Sequence, residues 1–356
     1  MAALLLMAPA AAAPAQAAAR APVVYAPVRP GVPLIFPRDH GAHPAFRTEW
    51  WYLTGWLQGP DGKPLGFQIT FFRTRPGVAD DHPSRFAAKQ VIFAHAALSD
   101  PAHGRLLHDQ RIARAGFGLA GAALDDMAVK VDGWELVRRP DRRLVARIAA
   151  KDFSYDLVFT PTQPILPQGQ GGFSRKGPGA GEASHYYSWP HLQVRGRLVR
   201  GGKTVAVQGT AWLDREWSST LLNKQAVGWD WLGLNMDDGG AITLFRVRDA
   251  AGQALWAGGS HRAADGRLAI LQPSDVRWQP GSLWRSPRTG ARYPVAPVVH
   301  VRLPGGVRQV VVTPLMNDQE LDSRAGGGPV YWEGAVRVPG GRGYLEMTGY
   351  ASRLAM

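Results

Sequence analysis

The chain has 356 residues, 45% of them hydrophobic, with 13 tryptophans and no cysteine. That supply of apolar side chains excludes a disordered chain, the length suggests two domains, and the missing thiols exclude disulfides, thiolate nucleophiles and cysteine-bound zinc. The formal charge is +13, but the basic residues are scattered, as at Arg138, Arg139, Arg142 and Arg143, so specific nucleic-acid binding is not expected.

Residues 1–20 are alanine-rich. Leu4-Leu5-Leu6-Met7 leads into alanines ending at Ala15-Gln16-Ala17, which reads as a secretory signal with a small-x-small cleavage site, although no basic segment precedes it. The mature chain is then expected to begin near Ala18 to Ala21, in a periplasmic or secreted location, with residues 21–36 as a linker. No later segment supplies the roughly 20 uninterrupted apolar residues of a spanning helix.

Asp39-His40-Gly41-Ala42-His43 then leads into Glu49-Trp50-Trp51-Tyr52-Leu53-Thr54-Gly55. Asp39, His40 and His43 could ligate a metal. A His-x-x-His pair beside a proline in a loop reads as structural, however, and no third or fourth ligand is identifiable, so no metal is expected. On strand parity Glu49 and Trp51 share one face, and Trp50 and Tyr52 the other. One pair is expected to line a cavity and the other to seal an interface between barrels. A structural role is the favoured reading of Glu49, and Glu49 and Trp51 are the candidate ligand-binding residues if this pair lines the cavity.

Beyond this block period two dominates, as in Leu65-Gly66-Phe67-Gln68-Ile69-Thr70-Phe71, the strand-like run from Asp152 to Thr160, and Lys203-Thr204-Val205-Ala206-Val207-Gln208. Turn signals recur at Gly59-Pro60-Asp61-Gly62, Arg200-Gly201-Gly202-Lys203, Asp237-Asp238-Gly239-Gly240 and Ala264-Asp265-Gly266-Arg267. Many short antiparallel strands imply an all-β barrel or sandwich with little helix. The Gly/Pro-rich stretch Pro161 to Gly181 is too long for a hairpin loop and reads as a lid over a ligand.

His185 and Tyr187 share one strand face, as do Trp212 and Asp214, and the intervening chain has the form of a hairpin. The two pairs are therefore expected to converge inside one barrel. A domain change is expected near Ser218 to Gln225, giving domains 37–221 and 222–356. Trp229 and Trp231, opposite Asp230, read as packing residues of the second domain. Val330-Tyr331-Trp332-Glu333-Gly334 and Glu346-Met347-Thr348-Gly349-Tyr350 echo the Glu49 block, a weak internal repeat that fits two related barrels. No Gly-x-Ser-x-Gly elbow, His-Glu-x-x-His helix, phosphate loop or dinucleotide fingerprint occurs.

The Asp39 to Gly55 block, with Ala211-Trp212-Leu213-Asp214-Arg215-Glu216-Trp217 and Gly228-Trp229-Asp230-Trp231-Leu232-Gly233, resembles the AttH and carotenoid-hydratase family from about Pro37 to the C-terminus. The resemblance implies two lipocalin-like antiparallel β-barrel domains and an apolar, lipid- or isoprenoid-like ligand. It also implies a site made of His185, Tyr187, Trp212 and Asp214. The aromatic identities at 187 and 212 are exchanged relative to the hydratases, which weakens a claim to the same substrate.

Two functions are compatible with this. The preferred one is an exported carrier of an apolar molecule, accessory to an ABC-type export system and associated peripherally with a membrane. The alternative is a hydratase in which Asp214, kept protonated by burial, starts the addition of water to an isoprenoid double bond. Trp212 and Tyr187 would then steady the cation and His185 would orient the acid or the water. Neither function calls for a cofactor. A purely structural role would instead put Trp212 in the core and pair Asp214 with Arg215 at a strand end.

Overall fold

The period-two pattern is carried through the whole molecule. The computed structural model describes residues 23–220 and 222–354; the export-signal reading of residues 1–20 lies outside them. Among the described residues there is no α-helix, only one-turn 3-10 segments at Arg38–His40, Pro273–Asp275 and Arg324–Gly326. Among these residues no helix is long and apolar enough to cross a membrane.

The first sheet begins with a meander of β1 (Thr48–Gln58), β2 (Pro64–Thr74), β3 (Val91–Ser99) and β4 (Leu107–Arg114). A second meander follows: β5 (Ala120–Ala122), β6 (Ala128–Val131), β7 (Trp134–Arg138), β8 (Leu144–Ala149) and β9 (Phe153–Thr160). After the short β10 (Leu166–Pro167) and β11 (Phe173–Arg175) come two long strands, β12 (Ala183–Arg200) and β13 (Lys203–Thr220). These join the meanders, since β13 pairs with β1 and β12 with β9. Gly201 and Gly202, both at positive φ (53° and 73°), make the two-residue turn between them. The far edges come together where β3 and β4 meet β5 and β6, so the sheet is a nearly closed antiparallel barrel.

The second half enters its sheet at Gly228. Strands β14 (Gly228–Met236), β15 (Ala241–Arg248), β16 (Ala254–Arg262) and β17 (Leu268–Leu271) form a meander. A separate three-stranded sheet follows, made of β18 (Val276–Arg285), β19 (Arg292–Leu303) and β20 (Gly306–Val311). The chain then returns through β21 (Thr313–Pro314), β22 (Glu320–Asp322), β23 (Val330–Val338) and β24 (Gly341–Met347), with β24 pairing back onto β14. The three-stranded sheet covers the larger one and shares its core, in which Leu232, Leu244, Trp278, Val299 and Trp332 meet. The two halves are thus the two lipocalin-like barrels of an all-β protein.

Each barrel has its own core; that of the first contains Trp51, Phe67, Phe71, Trp134, Phe159 and Leu213. A third apolar cluster lies between the barrels, on their outer faces, and contains Tyr52, Trp56, Trp212, Trp231, Phe245 and Tyr344. Side chains of both parities on β1 are therefore buried, as in a strand covered on both faces. The barrels touch so closely at Gly66 that a Cβ there would lie 2.6 Å from Ala335 Cβ and 2.7 Å from Tyr344 Oη.

Two segments depart from expectation. The described part of the 21–36 stretch is not a free linker: Tyr25 Oη donates to Arg75 O at 3.0 Å, Ala26 N donates to Ala45 O at 2.9 Å, and Val28 is buried. The Pro161 to Gly181 stretch is not an open lid. Its two short strands pair with β12, and its Gln163 Nε2 donates to Gly239 O at 3.1 Å in the second barrel. Gln168 Nε2 bridges Ser188 Oγ (2.7 Å) and Thr243 Oγ1 (2.8 Å), so the stretch is a strap laced to both barrels.

Candidate functional site

Strand register decides which sequence candidates meet. On the β12–β13 ladder His185 lies opposite Trp217, Tyr187 opposite Arg215, and Ser188 opposite Asp214. Cross-strand partners share a face and neighbours along a strand do not. His185 and Tyr187 therefore turn into the first barrel, whereas Trp212 and Asp214 turn outward, toward the second. The expected convergence of the two pairs in one barrel does not occur, because a one-residue difference in register changes the face of a whole set of side chains. His185 packs on Phe46 and Trp217 (ring centroids 5.8 and 5.5 Å), and Tyr187 Oη is hydrogen-bonded to His40 Nδ1 at 2.6 Å.

Glu49 and Trp51 also lie inside the first barrel, away from the cavity expected for a ligand. Glu49 is fully buried between Arg73 and Arg215, which both donate to its carboxylate, and His43 N donates to it at 2.9 Å. Burial alone would raise its pKa, but Arg215, His43 and Arg73 hold it well below the usual carboxylate range. Trp51 Nε1 donates to His40 O at 2.9 Å while Arg215 lies 3.9 Å above its ring. These residues form a buried charged cluster inside the first barrel. Arg215 is thus committed to Glu49, and the Asp214–Arg215 pairing allowed by the sequence is absent.

The opposite parity builds the cavity. A space of about 770 Å³ opens between the barrels, lined by Trp50, Tyr52, Phe72 and Phe93 from the first and by Trp229, Trp231, Phe245 and Val247 from the second. Trp229 and Trp231, expected only to pack, are part of its wall. Lys176 from the strap reaches in, 3.0 Å from Glu216 Oε1 and within 4.6 Å of the Tyr186 and Phe245 ring centroids. The rim is basic, with Arg47, Arg75, Lys224 and Arg353. Such a volume and an aromatic lining with a few placed polar groups suit a small apolar molecule.

Four carboxyl groups face this space: Asp214, Glu216, Glu333 and Glu346. Asp214 Oδ1 accepts from Ser188 Oγ at 2.5 Å and from Trp212 Nε1 at 2.7 Å. Burial nevertheless pushes its pKa up to about 7, with Glu216 adding repulsion. Glu346 is pushed up to about 8 by burial and by its acidic neighbours Asp214, Glu216 and Asp230. Glu333 is raised well above its ordinary value by burial and by Glu346. The site therefore sets three carboxyls with raised pKa values, Asp214, Glu333 and Glu346, against an aromatic surface. Sequence reasoning missed Glu333, Glu346 and Lys176. The available signal was an acidic residue set inside an otherwise apolar strand, as in Val330-Tyr331-Trp332-Glu333 and Gly343-Tyr344-Leu345-Glu346.

The AttH-like family profile matches residues 27–350. A solved structure from Nitrosomonas europaea, described as a candidate AttH, is 54% identical, with a TM-score of 0.84 over 91% of this chain and 99% of that one. Kievitone hydratase from Nectria haematococca is 14% identical, with a TM-score of 0.65 over 93% of this chain and 98% of its own. CghA is 14% identical, with a TM-score of 0.55 over 94% and 97% of the two chains. At that level of identity the last two show a shared fold alone. No protein of curated function matches the sequence.

Proposed function

The chain belongs to the AttH-like family, and from that membership we propose that it takes an apolar small molecule between its barrels and adds water across a carbon–carbon double bond of that molecule. The observation that carries the reading is Asp214, a buried carboxyl with its pKa near neutrality, facing an aromatic cavity. Oδ1 already accepts two hydrogen bonds and Tyr186 also acts on the carboxyl, so in this reading Oδ2 is the oxygen that carries the acidic proton. Trp212 and Ser188 are positioning residues that fix the carboxyl. One of the fold neighbours is named a hydratase, which agrees with this chemistry.

In the proposed step the alkene π electrons take the proton from Asp214 Oδ2, forming a C–H bond and leaving a cation on the adjacent carbon. The ring faces of Trp50, Trp229 and Trp231 stabilise that cation by about 0.5–2 kcal/mol each. A water molecule forms the new C–O bond, and its surplus proton returns to the Asp214 carboxylate, so one water is added and the acid is regenerated. The family resemblance and the alanine-rich start support a location outside the cytoplasm, beside an ABC-type export system or a membrane surface. Cell fractionation checks this.

The test is a panel of isoprenoid alkenes incubated in heavy-oxygen water and read by mass spectrometry for labelled alcohol. Asp214→Asn is expected to lower turnover by about 10²- to 10⁴-fold, the usual range for a lost general acid, while still binding naphthalene as a neutral probe. Undiminished turnover in the Asn variant would assign Asp214 a structural role. Tight binding of the panel without labelled product in the wild type would favour a carrier that holds its cargo unchanged.

A further inference from the structure

Strands β23 and β24 place Glu333 directly opposite Glu346, and both face the cavity from the second barrel. Like charges directly opposite on neighbouring strands destabilise each other. The other charges acting on Glu346 are acidic as well: Asp214, Glu216 and Asp230. Burial and this repulsion favour the neutral form of both carboxyls, and a neutral carboxyl is a hydrogen-bond donor as well as an acceptor.

Across the gap β1 presents Tyr52. Neither Tyr52 Oη nor Glu333 Oε1 has a hydrogen-bond partner, although the two residues are only 5% and 2% exposed. Leaving a buried polar atom unpaired costs about 1–3 kcal/mol, and such atoms in native proteins call for an explanation. Tyr331 beside them is already engaged: its Oη accepts from Gln68 Nε2 at 3.3 Å and is hydrogen-bonded to His95 Nδ1 at 2.7 Å. Tyr52 and Glu333, one from each barrel, face each other closely enough to act on each other's protons, but not at hydrogen-bond distance. A group that satisfies both must both donate and accept hydrogen bonds. A neutral oxygen function does both without placing a further charge in a space where Glu216 and Lys176 already form an ion pair.

We propose that Glu333 and Glu346, with Tyr52 facing them, form a second polar station that holds a neutral oxygen function, a hydroxyl or a carbonyl, on the molecule taken up. The ligand is then an apolar skeleton carrying oxygen, not a pure hydrocarbon. The station rests on the uptake reading above but is separate from Asp214 and its proton.

The experiment compares four probes with one ring skeleton, 2-naphthol, naphthalene, 2-naphthoate and 2-naphthylmethylamine, binding to the full chain by calorimetry at neutral pH. The wild type is expected to bind 2-naphthol roughly tenfold more tightly than naphthalene, the worth of one or two buried hydrogen bonds, and to bind 2-naphthoate least. Glu333→Leu and Glu346→Leu should abolish the preference, so that within each variant 2-naphthol binds no more tightly than naphthalene. The near-isosteric Tyr52→Phe, which preserves packing, should remove part of the difference. Equal affinity for 2-naphthol and naphthalene in the wild type, or a preference that survives both Leu variants, overturns the proposal. So does tightest binding of the amine, because that marks an ionised, cation-selective pair. Failure of both naphthalene and 2-naphthol to bind sinks the uptake reading and this station with it.

Discussion

Glu49 and Asp214 are buried carboxyls on paired strands, and their surroundings put them in opposite states. Glu49 meets two guanidinium groups and stays ionised; Asp214 meets a hydroxyl, an indole and other acids, and its pKa rises to about 7. The linkage consequences have opposite sign. For Asp214 the folded pKa lies above the ordinary 3.8, so its stabilising contribution is full below that value and is lost as pH rises through about 7. Glu346 behaves alike between its ordinary 4.5 and about 8. Glu49 contributes stability above the ordinary carboxylate range and loses it as the solution is acidified below that range. Asp214→Asn and Glu346→Gln are therefore expected to raise the melting temperature relative to wild type at pH about 8, with the gain shrinking toward pH about 4. Thermal unfolding across that interval measures it. A gain of equal size at both ends would show that the carboxyls are not strained by ionisation.

A single strand, β1, serves both a core and the cavity, and alternate residues divide the work. Trp51 is fully buried in the first barrel, while Trp50 lines the space between the barrels. Trp51→Ala should cost about 3–5 kcal/mol of folding stability, as truncation of a large core aromatic does. Trp50→Ala should cost far less but weaken naphthalene binding. Urea unfolding paired with calorimetry separates the two, and similar stability losses for both would contradict the division. This parity was legible in the sequence, as were the all-β class, the hairpin turns and the pairing of Trp212 with Asp214. The choice of face was not, because the outer wall of one barrel becomes an interior only when the second barrel covers it. Trp50-Trp51-Tyr52-Leu53, apolar on both parities, was the local sign of that covering. The register that separates Tyr187 from Asp214 depends on ladder pairing between strands, which spacing along the chain does not specify. The strap between β9 and β12 looked like a lid because its anchors, Thr243 and Gly239, lie far away in sequence.

At the scale of the molecule, the apolar cluster between the barrels and hydrogen bonds such as Trp56 Nε1 to Gly343 O (3.0 Å) and Trp231 Nε1 to Tyr186 Oη (3.0 Å) join the two halves. The halves are expected to unfold together, in one calorimetric transition. A ligand held between them should move that transition upward, by about 2.7 kcal/mol at a hundredfold excess over its dissociation constant. Two separated transitions, with 2-naphthol shifting only one, would show that the barrels are thermodynamically independent.

The alternation along β1 and β23 has a consequence for how such a protein can change. Positions 50, 52, 331 and 333 face the ligand space, while 51, 53 and 332 hold the cores. Two messages are interleaved letter by letter in the same strands, one specifying a scaffold and the other a cargo. A lineage can rewrite the letters that face the cargo, such as position 50, and accept a new molecule, while the core letters and those, such as position 56, that join the barrels are kept.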